Sequence, residues 1–339
     1  MEAVYVQTND AEKNEVVAYR RDADGSLTKL GAFGTGGRGT GKPHLPSQSS
    51  LVLSDDDAWL VVANAGSDTI SLLAVEGESL RLADVVPSGG GTPLSVALSD
   101  SLVYVANNEN ANVTGFTIED GKLQALEGST RSLSGENADP AQISFSPDGK
   151  TLVVTERGSN SITSYAIDGR GYADGPVSIP SAGETPYGFD FTGDGTLVVT
   201  EAFGGAKGKA AASSYALTEP GRLTPRSASV ADTRSEVCWA AVGKDGQFVY
   251  VTNFGDNTIS RYAIRADGTI ELADAVAAST RLGEPGVRDE AITGDGRFLY
   301  ALDADGQKVH GWRVESDGSL NEVTAIDGLP LTAAGLAAS

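Results

Sequence analysis

The chain has 339 residues, with 25 Lys and Arg against 46 Asp and Glu, a formal charge of -21. That balance argues against nucleic-acid binding, which depends on dense Lys/Arg contacts to phosphate, and no apolar run approaches the ~18 residues of a membrane span. One cysteine, Cys238, and two histidines, His44 and His310, leave no disulfide, no thiolate-zinc site and no His-rich metal cage.

The first strand-like segment, Val4-Tyr5-Val6, is entered directly from Met1-Glu2-Ala3 with no charged and apolar leader. The chain as it stands is therefore expected in the cytoplasm; a leader removed ahead of it would make it secreted or periplasmic. Asp22-Ala23-Asp24-Gly25 and the later Asp303-Ala304-Asp305-Gly306 echo calcium loops but lack the bidentate Glu, so both read as hairpin turns. The loop Gly34–His44 contains a formal Gly-x-Gly-x-x-Gly and the beginning of a P-loop. No helix follows, and Pro43 stands where Ser or Thr is required, so nucleotide binding is not expected.

Segments like the first recur at Trp59–Val62, Leu102–Val105, Leu152–Val154, Leu197–Val199, Phe248–Tyr250 and Phe298–Tyr300. Each is followed by a polar turn, an alternating strand such as Thr258–Ile264, and a further turn, and the junctions carry Asp-Gly, Asn or Gly of hairpin type. Seven units of roughly 48 residues, each with four short strands, are the pattern of propeller blades. The fold class is therefore all-β, a seven-bladed β-propeller of four-stranded antiparallel blades in one domain, residues 1–339. No unit shows the i, i+3, i+4, i+7 spacing of a helical solenoid. The first copy lacks a preceding strand, and the tail Leu331–Ser339 lacks a partner. The tail is expected to pair beside Val4–Thr8 and close the ring.

In such a ring the turns Ser54–Asp57, Ser146–Gly149, Thr192–Gly195 and Gly294–Gly296 fall on the bottom face. The starts of inner strands and the ends of second strands meet on top, where ligands of propellers usually bind. Gln142, Tyr187, Trp239 and Arg288 come from the first group, and Asn64, Asn107, Glu156, Arg157, Glu201, Phe203 and Asn253 from the second. Asn at a strand end also caps hairpins through its own amide. Glutamate is a poor turn former, and Glu156 and Glu201 both follow Val-Val-Thr in neighbouring blades. Facing one channel, the two could hold a cation or share acid and base roles; the other reading of Glu156 is a partner for Arg157. Further top-face carboxylates are Glu109 and Glu290.

The loop 34–44 reads either as a lid bringing Arg38, Lys42 and His44 to an anionic ligand, or as a mobile surface loop. The loop 204–210 carries the same two readings. His310 lies on a third strand and reads as structural, and Cys238 as a small core residue.

The repeated (Ser/Thr)-x-Asp-Gly-x-x-Leu-Tyr-Val-x-Asn, followed by Ile-Ser-x-Tyr-x-Ile, resembles the β-propeller lactonase family. That family includes propeller-type 6-phosphogluconolactonases and carboxymuconate-lactonising enzymes. Asp139–Gly149 and Thr200–Gly205 resemble a divergent bacterial branch. The resemblance spans the chain and implies a seven-bladed fold and lactone opening or closing on the top face. The family's inner-strand histidine before Ser-Pro-Asp-Gly is replaced here by Asp139-Pro140-Ala141-Gln142, and Glu201 matches the family's glutamate by its place in the repeat.

The expected function is a lactonase-like hydrolase or lactonising enzyme on a small oxygen-rich substrate. Glu156, Glu201 and His44 would do acid–base work. Arg157, Arg288, Gln142, Asn64, Asn107, Asn253, Tyr187, Trp239 and Phe203 would bind substrate. No cofactor is expected beyond a cation in the channel, and the partner is a small molecule. The alternative is a non-catalytic propeller that binds a ligand, cation or partner.

Overall fold

Local turn chemistry builds the strands into sheets. In the turn Ser146–Gly149 the Ser146 hydroxyl donates to Asp148 at 2.7 Å, and Asp148 accepts the Lys150 amide at 3.1 Å. Gly149 supplies the left-handed backbone, with φ of 67°, that reverses the chain. The same arrangement recurs where Thr293 donates to Asp295 at 2.6 Å and Gly296 takes φ of 76°.

In the computed structural model, which describes residues 2–43 and 45–339, these hairpins produce seven antiparallel sheets, six of four strands and one with a short fifth. Blade 1 comprises Ala334–Ala338, Ala3–Gln7, Glu15–Arg21 and Leu27–Gly34 from the axis outward. The inner strands of blades 2 to 7 are Leu51–Leu53, Pro93–Ser99, Pro140–Phe145, Pro186–Phe191, Val237–Val242 and Val287–Ile292. They touch one another in ring order and return to Ala334–Ala338. Every blade is covered on both sides, so second strands are apolar throughout, as in Leu60, Val61 and Val62, all buried. Tyrosines of these strands stitch neighbouring blades: the hydroxyls of Tyr104, Tyr250 and Tyr300 donate to the carbonyls of Gly171, Gly318 and Gly25 at 2.9, 2.7 and 2.7 Å.

The tail closes the ring as its composition predicts. Val4 pairs with Ala338 and Val6 with Leu336, antiparallel. Deleting residues 331–339 would bare the edge of blade 1 and the flank of blade 7. The expected result is a loss of more than ~4 kcal/mol and of the single cooperative transition in scanning calorimetry. A deletion variant that keeps the parent Tm would show that closure rests elsewhere.

The loop after Leu27–Gly34 fits neither reading of it as a lid nor as a mobile loop over residues 34–42. Asn9 grips it, accepting the Thr40 amide at 2.8 Å through its side chain and the Gly41 amide at 2.9 Å through its carbonyl. A Cβ at Gly39 would lie 2.1 Å from the Asn9 backbone, so glycine is needed for this close approach. His44 lies outside the described residues.

Candidate active site

Six residues that close second strands, Asn64, Asn107, Glu156, Glu201, Asn253 and Asp303, are all fully buried. Each turns inward to hold loops at the top of its own blade or those arriving from the preceding one. Asn64 accepts from Asn14 and Thr35 at 2.9 and 2.8 Å and donates to Ser71 at 2.7 Å. Asn107 donates to the Ser88 carbonyl at 3.2 Å and to Asn112 at 2.9 Å, and Asn253 to Ser260 at 2.8 Å. Glu156 accepts the Ser134 amide at 3.1 Å, the Ser159 hydroxyl at 2.7 Å, and the Ser134 hydroxyl. Glu201 accepts the Gly183 amide at 2.7 Å and the Ser213 hydroxyl. Burial pushes the Glu201 carboxyl up, against these hydrogen bonds to its charged form.

A glycine of the incoming loop packs on several of these side chains: Gly37 on Asn64, Gly90 on Asn107, Gly183 on Glu201 and Gly286 on Asp303. The two glutamates therefore do not share a channel-facing site, and Arg157 is not the partner of Glu156. Buried polar side chains need partners, and here the loop amides and hydroxyls provide them.

A different set converges. A cavity of about 530 Å³ opens on the top face, off the axis, where the loops of blades 4 to 7 meet. Arg157 reaches its rim, donating to Asp139 at 2.6 Å with its guanidinium 5.1 Å above the Tyr187 ring. Arg288, 4% exposed, stacks 4.6 Å over Phe254, donates to the Pro43 carbonyl and lies 3.6 Å from Asp305. Its Nε has no hydrogen-bond partner among the described residues. Tyr187 packs edge-on against Trp239 at 5.7 Å, and the Trp239 indole donates to the Ser47 carbonyl at 3.0 Å. Burial holds the Tyr187 hydroxyl and the Cys238 thiol, both at this cavity, far above their usual ranges. The thiol is thus no thiolate nucleophile, and the tyrosine remains a donor.

The remaining expected residues lie elsewhere. Gln142 accepts the Phe189 amide at 2.6 Å and lines the central channel, not the top cavity. Phe203, half-buried at the start of a 3-10 turn, is not a lining group, although the backbone of Gly204 and Gly205 is. Of the residues picked from sequence, Arg157, Tyr187 and Arg288 come together here.

Three lining residues escaped that reading: Asp139, Thr185 and Glu236. They occupy one repeat position, immediately before the inner strands that begin at Pro140, Pro186 and Val237, and all take left-handed φ, of 49°, 57° and 55°. Non-glycine residues held there cost of order 1–3 kcal/mol and cluster at functional sites. The Asp-Pro and Thr-Pro dipeptides were the visible signal. Glu236 makes no side-chain hydrogen bond or ion pair among the described residues. No three His, Cys, Asp or Glu among the described residues converge as a metal site.

Seven antiparallel blades with a charged cavity, lined in part by aromatic residues, on the loop face define a seven-bladed propeller with a ligand-sized pocket. The sequence model of the family described as Lactonase, 7-bladed beta-propeller matches residues 2–134, 122–203 and 200–332, and the chain belongs to that family. A relative from Arthroderma benhamiae, named "Probable 6-phosphogluconolactonase", is 27% identical over 172 residues, covering 44% of each chain. The periplasmic gluconolactonase PpgL of Pseudomonas aeruginosa superposes with a TM-score of 0.76 at 19% identity over 97% of both chains. A Lactobacillus plantarum protein gives 0.76 at 19% identity over 100% of both. At these identities the structural likenesses establish the fold alone. No helix is long and apolar enough to cross a membrane among the described residues.

Proposed function

We propose that the protein opens, or in reverse closes, a small anionic lactone in the top cavity. The observation that carries this reading is the convergence on one cavity of two guanidinium groups, Arg157 and Arg288, with the unpaired carboxylate of Glu236. The arginines hold an anionic substituent and stabilise the negative charge that develops on the lactone carbonyl. Tyr187, a protonated donor whose hydroxyl has no partner among the described residues, supports the same charge. Glu236 takes a proton from water as the water oxygen bonds to the carbonyl carbon. The ring C–O bond then breaks, and the leaving alkoxide receives the proton back from Glu236, giving a hydroxy acid. Family membership and the names of the Arthroderma and Pseudomonas proteins support the lactone class.

The missing inner-strand histidine favours the second reading, a propeller that binds such a ligand without turning it over. A panel of aldonolactones, with and without phosphate or carboxylate substituents, separates the two by acid release at constant pH. Turnover of the anionic members is the expected result. Binding with no turnover above buffer would leave only the second reading.

A further inference from the structure

The central channel holds a second cavity, of about 360 Å³, which Gln48 caps by spanning from blade 2 to blade 6, donating to the Ala240 carbonyl at 2.9 Å and accepting its amide at 3.1 Å. Two carboxylates stand in its wall: Asp190 on the inner strand of blade 5 and Glu290 on that of blade 7. The neighbouring Asp289 is turned toward the closing strand, where it accepts the Gly335 amide at 2.9 Å.

Glu290 occupies a position that other inner strands fill with Val96, Ile143, Phe189 and Ala240. It is 5% exposed, and among the described residues neither carboxylate oxygen has a well-formed hydrogen-bond partner, the Thr252 backbone being the one group beside it that favours its charge. Burial, then Asp190 and Asp289, oppose its charge and hold its pKa well above the carboxylate range. Asp190 accepts the amides of Phe191 and Val242 at 2.8 and 2.7 Å and keeps further lone pairs free. The nearest arginine in sequence, Arg288, is committed to Pro43, Asp305 and Phe254, so it does not neutralise this wall.

An unpartnered buried carboxylate is costly unless something absent from the protein itself satisfies it. Among the described residues the rest of the wall offers oxygen ligands, from Ser49, Ser144 and Gln142, and no imidazole or thiolate. Such a set suits a hard cation and not a transition metal. We propose that this cavity is a cation site in which Glu290 and Asp190 hold one divalent ion of the calcium class, linking blades 5 and 7 past the inner strand of blade 6 that lies between them. A double positive charge neutralises both carboxylates. The site is distinct from the top cavity and does not depend on the lactonase reading.

The test uses the full chain, stripped with EDTA and exchanged into metal-free buffer. Equilibrium dialysis against calcium chloride followed by elemental analysis is expected to give about one calcium per chain. At calcium about 100-fold above its dissociation constant, Tm is expected to rise by about 4 °C over the stripped protein. Glu290→Gln keeps the shape of the side chain, so it is expected to fold, to bind no calcium and to show no calcium-dependent shift; Asp190→Asn is expected to weaken binding at least tenfold. A parent protein that takes up no calcium and melts identically with and without it would overturn the site and leave Glu290 as a buried neutral acid. Equal calcium uptake by the parent and by Glu290→Gln would overturn the assignment as well.

Discussion

Glu236→Gln is expected to lower kcat for lactone opening by about 10²–10⁴-fold, the usual contribution of a positioned general base, with KM close to that of the parent. The substitution leaves the shape of the cavity intact and removes only the proton acceptor. Arg157 and Arg288 keep their stacking on Tyr187 and Phe254, so substrate binding is retained. Loss of kcat without a change of KM marks an interaction made in the transition state alone. The folded state is checked by an unchanged Tm, because Glu236 makes no side-chain hydrogen bond or ion pair among the described residues whose loss would destabilise it. Unchanged kcat would remove Glu236 from the chemistry. A companion Glu201→Gln variant is expected to turn over at the parent rate per folded molecule, since that carboxylate is enclosed by Ser213 and Gly183 within its blade.

Stability is expected to increase as the pH falls from 8 toward 5. Burial raises Asp289 from 3.8 to about 7, and Asp232 from 3.8 to about 6. In this window the folded state binds protons that the unfolded state has released, so the slope of unfolding free energy against pH is negative. The stabilisation is complete below the unfolded values near 4 and is lost as pH rises through the folded values of about 6 and 7. For Asp289, only 2% exposed, the full shift corresponds to something on the order of 4 kcal/mol, of which roughly 3 kcal/mol falls between pH 8 and pH 5. The turn aspartates act the other way: hydrogen bonds from Ser146 hold Asp148 below its usual value. They weaken the fold only at more acidic pH. Thermal melts at half-unit intervals measure the profile. Asp289→Asn is expected to flatten its upper limb, and a parent Tm that climbs from pH 5 to 8 would contradict the assignment.

The architecture was legible because each blade repeats the same local rules. Asp148 and Asp295 lock their turns through neighbours two residues away, and the β-branched and aromatic run Phe248–Tyr250 needs no distant contact to declare a strand. The closing role of Leu331–Ser339 could be read because an unpaired strand at each end of a ring leaves one pairing open. The site was harder to read for two reasons. Residues that close second strands look functional because they are polar on an apolar ladder, yet Asn64, Glu156 and Glu201 spend that polarity on loops folded back onto them. The cavity, by contrast, gathers Asp139 and Arg157 from blade 4, Tyr187 from blade 5, Glu236 from blade 6 and Arg288 from blade 7.

By itself, then, the sequence determined the number of blades, their strand order, the closure and the faces on which turns and loops lie, because hairpin turns and strand alternation are interactions between residues close in the chain. Only the tertiary structure decided which polar side chains are enclosed and which stand in a cavity. That choice depends on how neighbouring blades pack and on whether a left-handed backbone, as at Asp139, Thr185 and Glu236, turns a side chain out of its own blade. The same packing leaves Glu290, whose counterparts in other blades are apolar, without a well-formed hydrogen bond among the described residues, a feature invisible in its spacing along the chain.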